Sequence, residues 1–165
     1  MAVLRSNLLT AIAEATVSKF ELALAPWRGK DARSEPPNGL VVSSDDEVSR
    51  KLAESLGQCG VAPLFACTVV ESQIVLAGRE VLVVLCNERL ADGTYADVLN
   101  LAHRSHATIP LVVVSRTGDW PEYLRAVDHG AFDYLAYPPM SGALERAIRN
   151  ALVWNRQNRE VADAV

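Results

Sequence analysis

The sequence predicts an α/β protein built on a doubly wound, five-stranded parallel sheet, and three observations predict it. From Leu40 onward, short apolar runs alternate with stretches of helical period. Two of those runs, residues 81–86 and 109–114, are apolar at nearly every position, as strands covered on both faces are. Polar segments carrying Gly or Pro separate the runs, as turns between strands and helices do.

Taken in order, residues 2–25 come first, with Leu4, Leu8, Ile12, Val17, Phe20 and Leu24 at three- to five-residue steps. That spacing predicts an extra amphipathic helix ahead of the sheet. Pro26 and the polar stretch 29–39 then break it as a linker would. The first strand is expected at 40–43, followed by a helix from Asp45 to about Cys59 with Val48, Leu52 and Leu56 on one face. A second strand at 63–67 and a helix at 70–77 follow. The third strand, 81–86, ends on Asn87, and a polar turn over 88–93 leads to a helix at 95–105. The fourth strand, 109–114, ends on Ser115. The next helix runs from Pro121, a residue suited to a first turn, to His129. The fifth strand is expected at 132–136, and a last helix starts near Ser141 and passes Trp154. The expected organisation is an N-terminal helix and linker over 1–38, one sheet domain over 39–155, and a tail over 156–165.

Composition sets the bounds on function. Half of the residues are hydrophobic, 22% are charged, and the formal net charge is −4, so a nucleic-acid partner is not expected. No apolar run approaches the roughly 18–20 residues of a membrane span, and no membrane partner is expected. Glu14, Lys19 and Glu21 interrupt the N-terminal apolar stretch, which argues against a secretory signal. Cys59, Cys67 and Cys86 are odd in number and irregular in spacing. They read as small buried thiols in a reducing cytoplasm.

In an open parallel sheet, the functional crevice lies at the carboxyl ends of the strands. Ser43, Ser44, Asn87, Ser115 and Tyr137 all fall there. The layout of these strand ends, with the run Gly130, Ala131, Phe132, Asp133, Tyr134 and Leu135 followed by Pro138, resembles the receiver domain of two-component response regulators, a flavodoxin-like (βα)5 fold. Leu90, Ala91, Asp92 and Gly93 are similar to the family's turn after its phosphorylation site, with Ala91 where a proline is common. The resemblance covers about residues 39–152. It implies that Asn87 stands at the phosphoacceptor position, Tyr137 at the position of a conserved lysine, and Ser115 and Tyr134 at the two switch positions.

Those positions depart from the chemistry a receiver needs. Asn87 offers a neutral carboxamide in place of an attacking carboxylate, and Tyr137 is neutral where an ammonium would stabilise a phosphoryl group. Arg116 follows Ser115 where the family has a small residue, and it can either lie over the crevice or point to solvent. The paired acids that would hold Mg²⁺ fall on Ser43 and Ser44 in one register and on Asp45 and Asp46 in another. The first is preferred, because a slip would rotate Val48 and Leu52 off the buried face. Asp45 and Asp46 then serve the start of the helix. With at most one carboxylate nearby, a dication gains little, so no cofactor is expected and Mg²⁺ least of all.

Other features read more plainly. His103 and His106 suit a solvated helix end, His129 a helix C-terminus, and Asp92 with Gly93 a turn. Trp120 is either a partner contact or a packing plug. Arg146, Arg149, Arg156 and Arg159 around Trp154 read as a solvated face. The expectation is therefore a non-enzymatic pseudo-receiver in two-component-type signalling that works by protein–protein interaction. Its expected partners are a histidine kinase or an effector on another chain, since no output domain follows residue 165, together with a weakly held homodimer. The alternative is a module that senses a small ligand or anion in the altered crevice.

Overall fold

The computed structural model describes residues 35–104 and 108–164. The expected helix over 2–25 and His106 lie outside the described residues. The strands are β1 (Asn38–Val42), β2 (Ala62–Ala66), β3 (Val83–Asn87), β4 (Leu111–Ser115) and β5 (Asp133–Ala136). The helices are α1 (Asp46–Gln58), α2 (Val69–Gly78), α3 (Tyr95–Arg104), α4 (Trp120–Asp128) and α5 (Ala143–Asp163). All five strands pair in parallel in the order β2-β1-β3-β4-β5. The order reverses at β1, so the crevice opens above the carboxyl ends of β1 and β3.

Each strand feeds two cores. Val41, Leu85 and Val112 point to one face, where Val48, Leu52 and Leu56 of α1 and Leu144 and Ile148 of α5 cover them. Leu40, Val84, Cys86 and Val113 point to the other face, under Val98, Leu99 and Ala126. Burial on both sides is why the strands lack polar alternation.

The helix ends follow from local chemistry. Asp45 is the N-cap of α1 and accepts from the backbone N–H of Glu47 and Val48. Thr68 caps α2, and Asp92 also accepts from Val69 N at 2.8 Å and Val70 N at 3.1 Å, so the turn carrying Asp92 is fastened to a helix start. At the end of α4, Gly130 has φ +95°, Gly130 N donates to Val127 O, and Ala131 N donates to Ala126 O. This is the paired closure that a left-handed residue permits, and it accounts for glycine at the head of the 130–135 run. His129 stands at this helix terminus, as its sequence position suggested.

Three expectations need correction. The turn after β3 contains a small antiparallel hairpin, Arg89–Leu90 against Gly93–Thr94, because Thr94 N is held by Asp97 Oδ2 at 2.9 Å as α3 begins. Residues 156–163 are not a tail: α5 continues through them to Asp163, and Arg159 pairs with Glu80. Of the three thiols only Cys86 is buried; Cys59 is half-buried and Cys67 is exposed. Cys67 lies one residue beyond β2, in the turn before the Thr68 cap, where the chain has left the core. Among the described residues, no helix is long and apolar enough to cross a membrane.

Candidate functional site

Parallel pairing sets the site. Cα partners Val42 with Cys86 and Asn87 with Val114 put the residues after β1, at the end of β3 and at the end of β4 side by side. Asn87 Nδ2 donates to Ser43 Oγ at 2.9 Å. Ser43 is buried, and its Oγ also accepts from Asp45 N at 3.1 Å. The position that would bear an attacking oxygen is therefore an amide, and that amide donates a hydrogen bond to a serine. Ser44 is exposed, and Asp46 is exposed as the first residue of α1.

Asp45 has two tasks. Beyond capping α1, its Oδ2 lies 2.5 Å from an Arg116 guanidinium nitrogen. The Val48 N–H first, and Arg116 second, hold its carboxyl below the usual range. Arg116 in turn lies over the Tyr137 ring, 5.4 Å from its centroid, and the Tyr137 hydroxyl donates to Glu47 at 3.4 Å. Of the two placements open to it from sequence, Arg116 takes the one across the crevice. Burial, followed by Glu47, raises the Tyr137 phenol, so it stays neutral at pH 7. This half of the crevice is a closed set of Asp45, Arg116, Tyr137 and Glu47.

The other half turns on a residue that sequence reasoning left in the polar turn. The Glu88 carboxylate accepts a hydrogen bond from Ser115 Oγ, and its Oε2 also accepts from the Tyr134 hydroxyl at 3.3 Å. Ser115 Oγ further accepts from Thr117 N at 3.2 Å and Gly118 N at 3.4 Å. Gly118 has φ +62°, and a Cβ there would stand 2.9 Å from Ala136 Cβ, so glycine lets this loop fold back over Ser115. Tyr134 is buried, and desolvation raises its phenol, with Glu88 adding to the effect, so it remains a donor. No sequence signal marks Glu88; the strand register, Asn87 opposite Val114, puts the next residue beside Ser115.

Between the two halves is a crevice of about 280 Å³, lined by Asn87, Glu88, Ser115, Arg116 and Tyr137. Asp119 and Glu122 also line it, so with Glu88 its carboxylates outnumber its arginines, Arg89 and Arg116. The donor set does not fit Mg²⁺, because Asn87 and Ser43 are neutral, Asp45 is paired with Arg116, and Glu88 is taken up by two hydroxyls. No group of three or more His, Cys, Asp or Glu side chains converges as a metal site among the described residues. His103 has no such partners, and Trp154 packs on Phe132 with ring centroids 5.9 Å apart.

The depressed Asp45 carboxyl gives a signed pH prediction. A carboxyl held below its unfolded value adds stability above that value, and this is lost as pH falls through the folded value. Thermal midpoints of the native chain should therefore fall on the acid side faster than those of Asp45→Asn, which keeps a capping side chain without the charge. Parallel acid limbs for the two proteins would remove Asp45 from the pH response.

The topology is that of a doubly wound (βα)5 domain, and known proteins share it. No family model matches the chain. The photosynthetic apparatus regulatory protein RegA of Rhodovulum sulfidophilum is 31% identical over 104 residues, covering 63% of this chain and 57% of that protein. The response regulator protein PilR of Pseudomonas aeruginosa is 26% identical over 113 residues, covering 68% of this chain and 25% of PilR. The chain thus spans little more than half of RegA and a quarter of PilR. Among solved structures, the signal receiver domain of an HD domain-containing protein from Pseudomonas fluorescens superposes with a TM-score of 0.69 at 22% identity, covering 80% of this chain and 98% of that one. NtrX from Brucella abortus in complex with ATP gives a TM-score of 0.71 at 21% identity, over 79% of this chain and 30% of that one. These structural likenesses establish the flavodoxin-like receiver fold. In sequence, the chain shares homology with response regulators over about two thirds of its length.

Proposed function

We propose that this chain is a pseudo-receiver: a non-enzymatic signalling module, acting in the cytoplasm, that works by protein–protein contact and takes up no phosphoryl group. The observation that carries this reading is the Asn87 amide donating to Ser43 where a receiver presents a carboxylate. The lone pair of an amide nitrogen is delocalised into its carbonyl, and the amide oxygen is a poor nucleophile. Tyr137, neutral and beneath Arg116, supplies no ammonium for an incoming phosphoryl group. Arg116 itself is committed to Asp45. The partners this reading implies are a kinase or an effector protein, and a second copy of the chain.

The anion-sensing alternative finds less support, because Glu88, Asp119 and Glu122 all line the crevice that an anion would enter. One thermal-shift series tests both readings. A ligand that binds the folded chain raises its midpoint by mass action. Mg²⁺ with beryllofluoride, a phosphoryl mimic, is expected to leave the midpoint unchanged, as is inorganic phosphate. A saturable rise with beryllofluoride contradicts the pseudo-receiver reading, and a rise with phosphate alone favours the anion sensor.

A further inference from the structure

The position of Glu88 carries an inference that rests on the pseudo-receiver reading and goes beyond it. We propose that the Glu88 carboxylate is a resident anion that holds the Ser115–Tyr134 pair in a fixed state, and that this state is transmitted through an aromatic stack to the exposed start of α4.

The geometry runs without a gap. One oxygen of Glu88 accepts from both Ser115 Oγ and the Tyr134 hydroxyl. Two hydroxyl donors from neighbouring strands, β4 and β5, thus converge on one negative charge that the chain itself supplies. Charge-assisted hydrogen bonds of this kind are stronger than neutral ones. Glu88 is held from behind as well, since Glu88 N donates to Val114 O at 3.0 Å and Tyr95 N donates to Glu88 O at 3.2 Å. Its backbone is therefore anchored to β4 and to the start of α3, and its side chain has a defined place from which to reach.

Tyr134, drawn inward by this bond, meets Tyr123 of α4 edge-on, with ring centroids 6.0 Å apart at 88°. Tyr123 stacks on Trp120 at 5.0 Å and 16°. The Trp120 indole is 68% exposed and begins a stripe with Leu124 and Val127, at steps of four and three residues, that faces solvent along α4. Without an acceptor at Glu88, the Tyr134 hydroxyl loses the bond that aims its ring at Tyr123, and a buried phenol seeks another partner or turns outward. Glu88 is thus a positioning residue for Trp120, acting through Tyr134 and Tyr123.

Fluorine NMR on the full chain labelled with 5-fluorotryptophan tests this. The chain has three tryptophans, and Trp120→Phe assigns the relevant signal. Glu88→Ala is expected to shift or broaden the Trp120 resonance and leave that of Trp154 in place. Tyr134→Phe removes only the hydroxyl, keeps the core filled, and should move Trp120 in the same direction, which covers the case in which Glu88→Ala does not fold. Glu88→Gln, which keeps an acceptor without the charge, should fall between native and Ala. Combining Glu88→Ala with Tyr134→Phe should move Trp120 no further than either change alone. A Trp120 signal unmoved by Tyr134→Phe, or additive shifts in the double variant, overturns the proposal. Intact mass after phosphodonor treatment separates the two readings: uptake by the native chain overturns both, whereas an unmoved Trp120 without uptake overturns this one alone.

Discussion

Leu52→Ala is expected to destabilise the fold by about 3 kcal/mol, within the range for burying a leucine and then removing it from a closed core. Leu52 has no exposed surface and sits on α1 against Val41 and Leu85 of the sheet, with Leu56 and Ile148 around it. Strands on one side and α5 on the other limit how far the walls can relax, so most of the vacated space stays as a cavity. Urea or thermal unfolding reads the loss directly. Leu124→Ala is the control: half exposed on α4, it should change stability by less than about 0.5 kcal/mol. Similar losses at the two positions would mean that α1 does not pack as described.

Asn87→Asp is expected to cost about 1–2 kcal/mol at neutral pH and to leave the chain without phosphoryl uptake. The new carboxylate would replace a donor to Ser43 and share the crevice with the Glu88 carboxylate. Like charges and partial burial would raise its folded pKa above the unfolded value. A group raised in this way costs stability as pH rises through that interval, so the variant should approach native stability in acid and fall away from it toward neutrality. Denaturation at a series of pH values checks the sign. Restoring one carboxylate does not rebuild the site, because Tyr137 still replaces the ammonium and Arg116 still occupies Asp45. Uptake of phosphoryl by this single variant would show that only the nucleophile had been missing.

Much of the fold was legible because burial on two faces leaves a strong mark. The runs containing Leu85 and Val113 had no reading other than central strands, and the Val48, Leu52 and Leu56 spacing fixed the inner face of α1. Strand ends then placed Asn87, Ser115 and Tyr137 at one rim. What stayed hidden depends on side-chain reach and on local hydrogen bonds. Glu88 looked like one more polar turn residue, since periodicity says nothing about where a carboxylate lands; only the pairing of Asn87 with Val114 puts it beside Ser115. The hairpin at Arg89–Leu90 is too short for any period to register. The length of α5 was missed because its last turns are polar on most sides, and Arg159 with Glu80 ties them down where no apolar stripe announces it.

Intact-mass spectrometry tests whether the site centred on Asn87 takes up a phosphoryl group. The native full chain, incubated with Mg²⁺ and a small phosphodonor, should show an unchanged mass, alongside a competent receiver treated identically that gains a phosphoryl group. Stoichiometric gain of one acid-stable or acyl-linked phosphoryl group on a crevice side chain of the native protein would contradict the account.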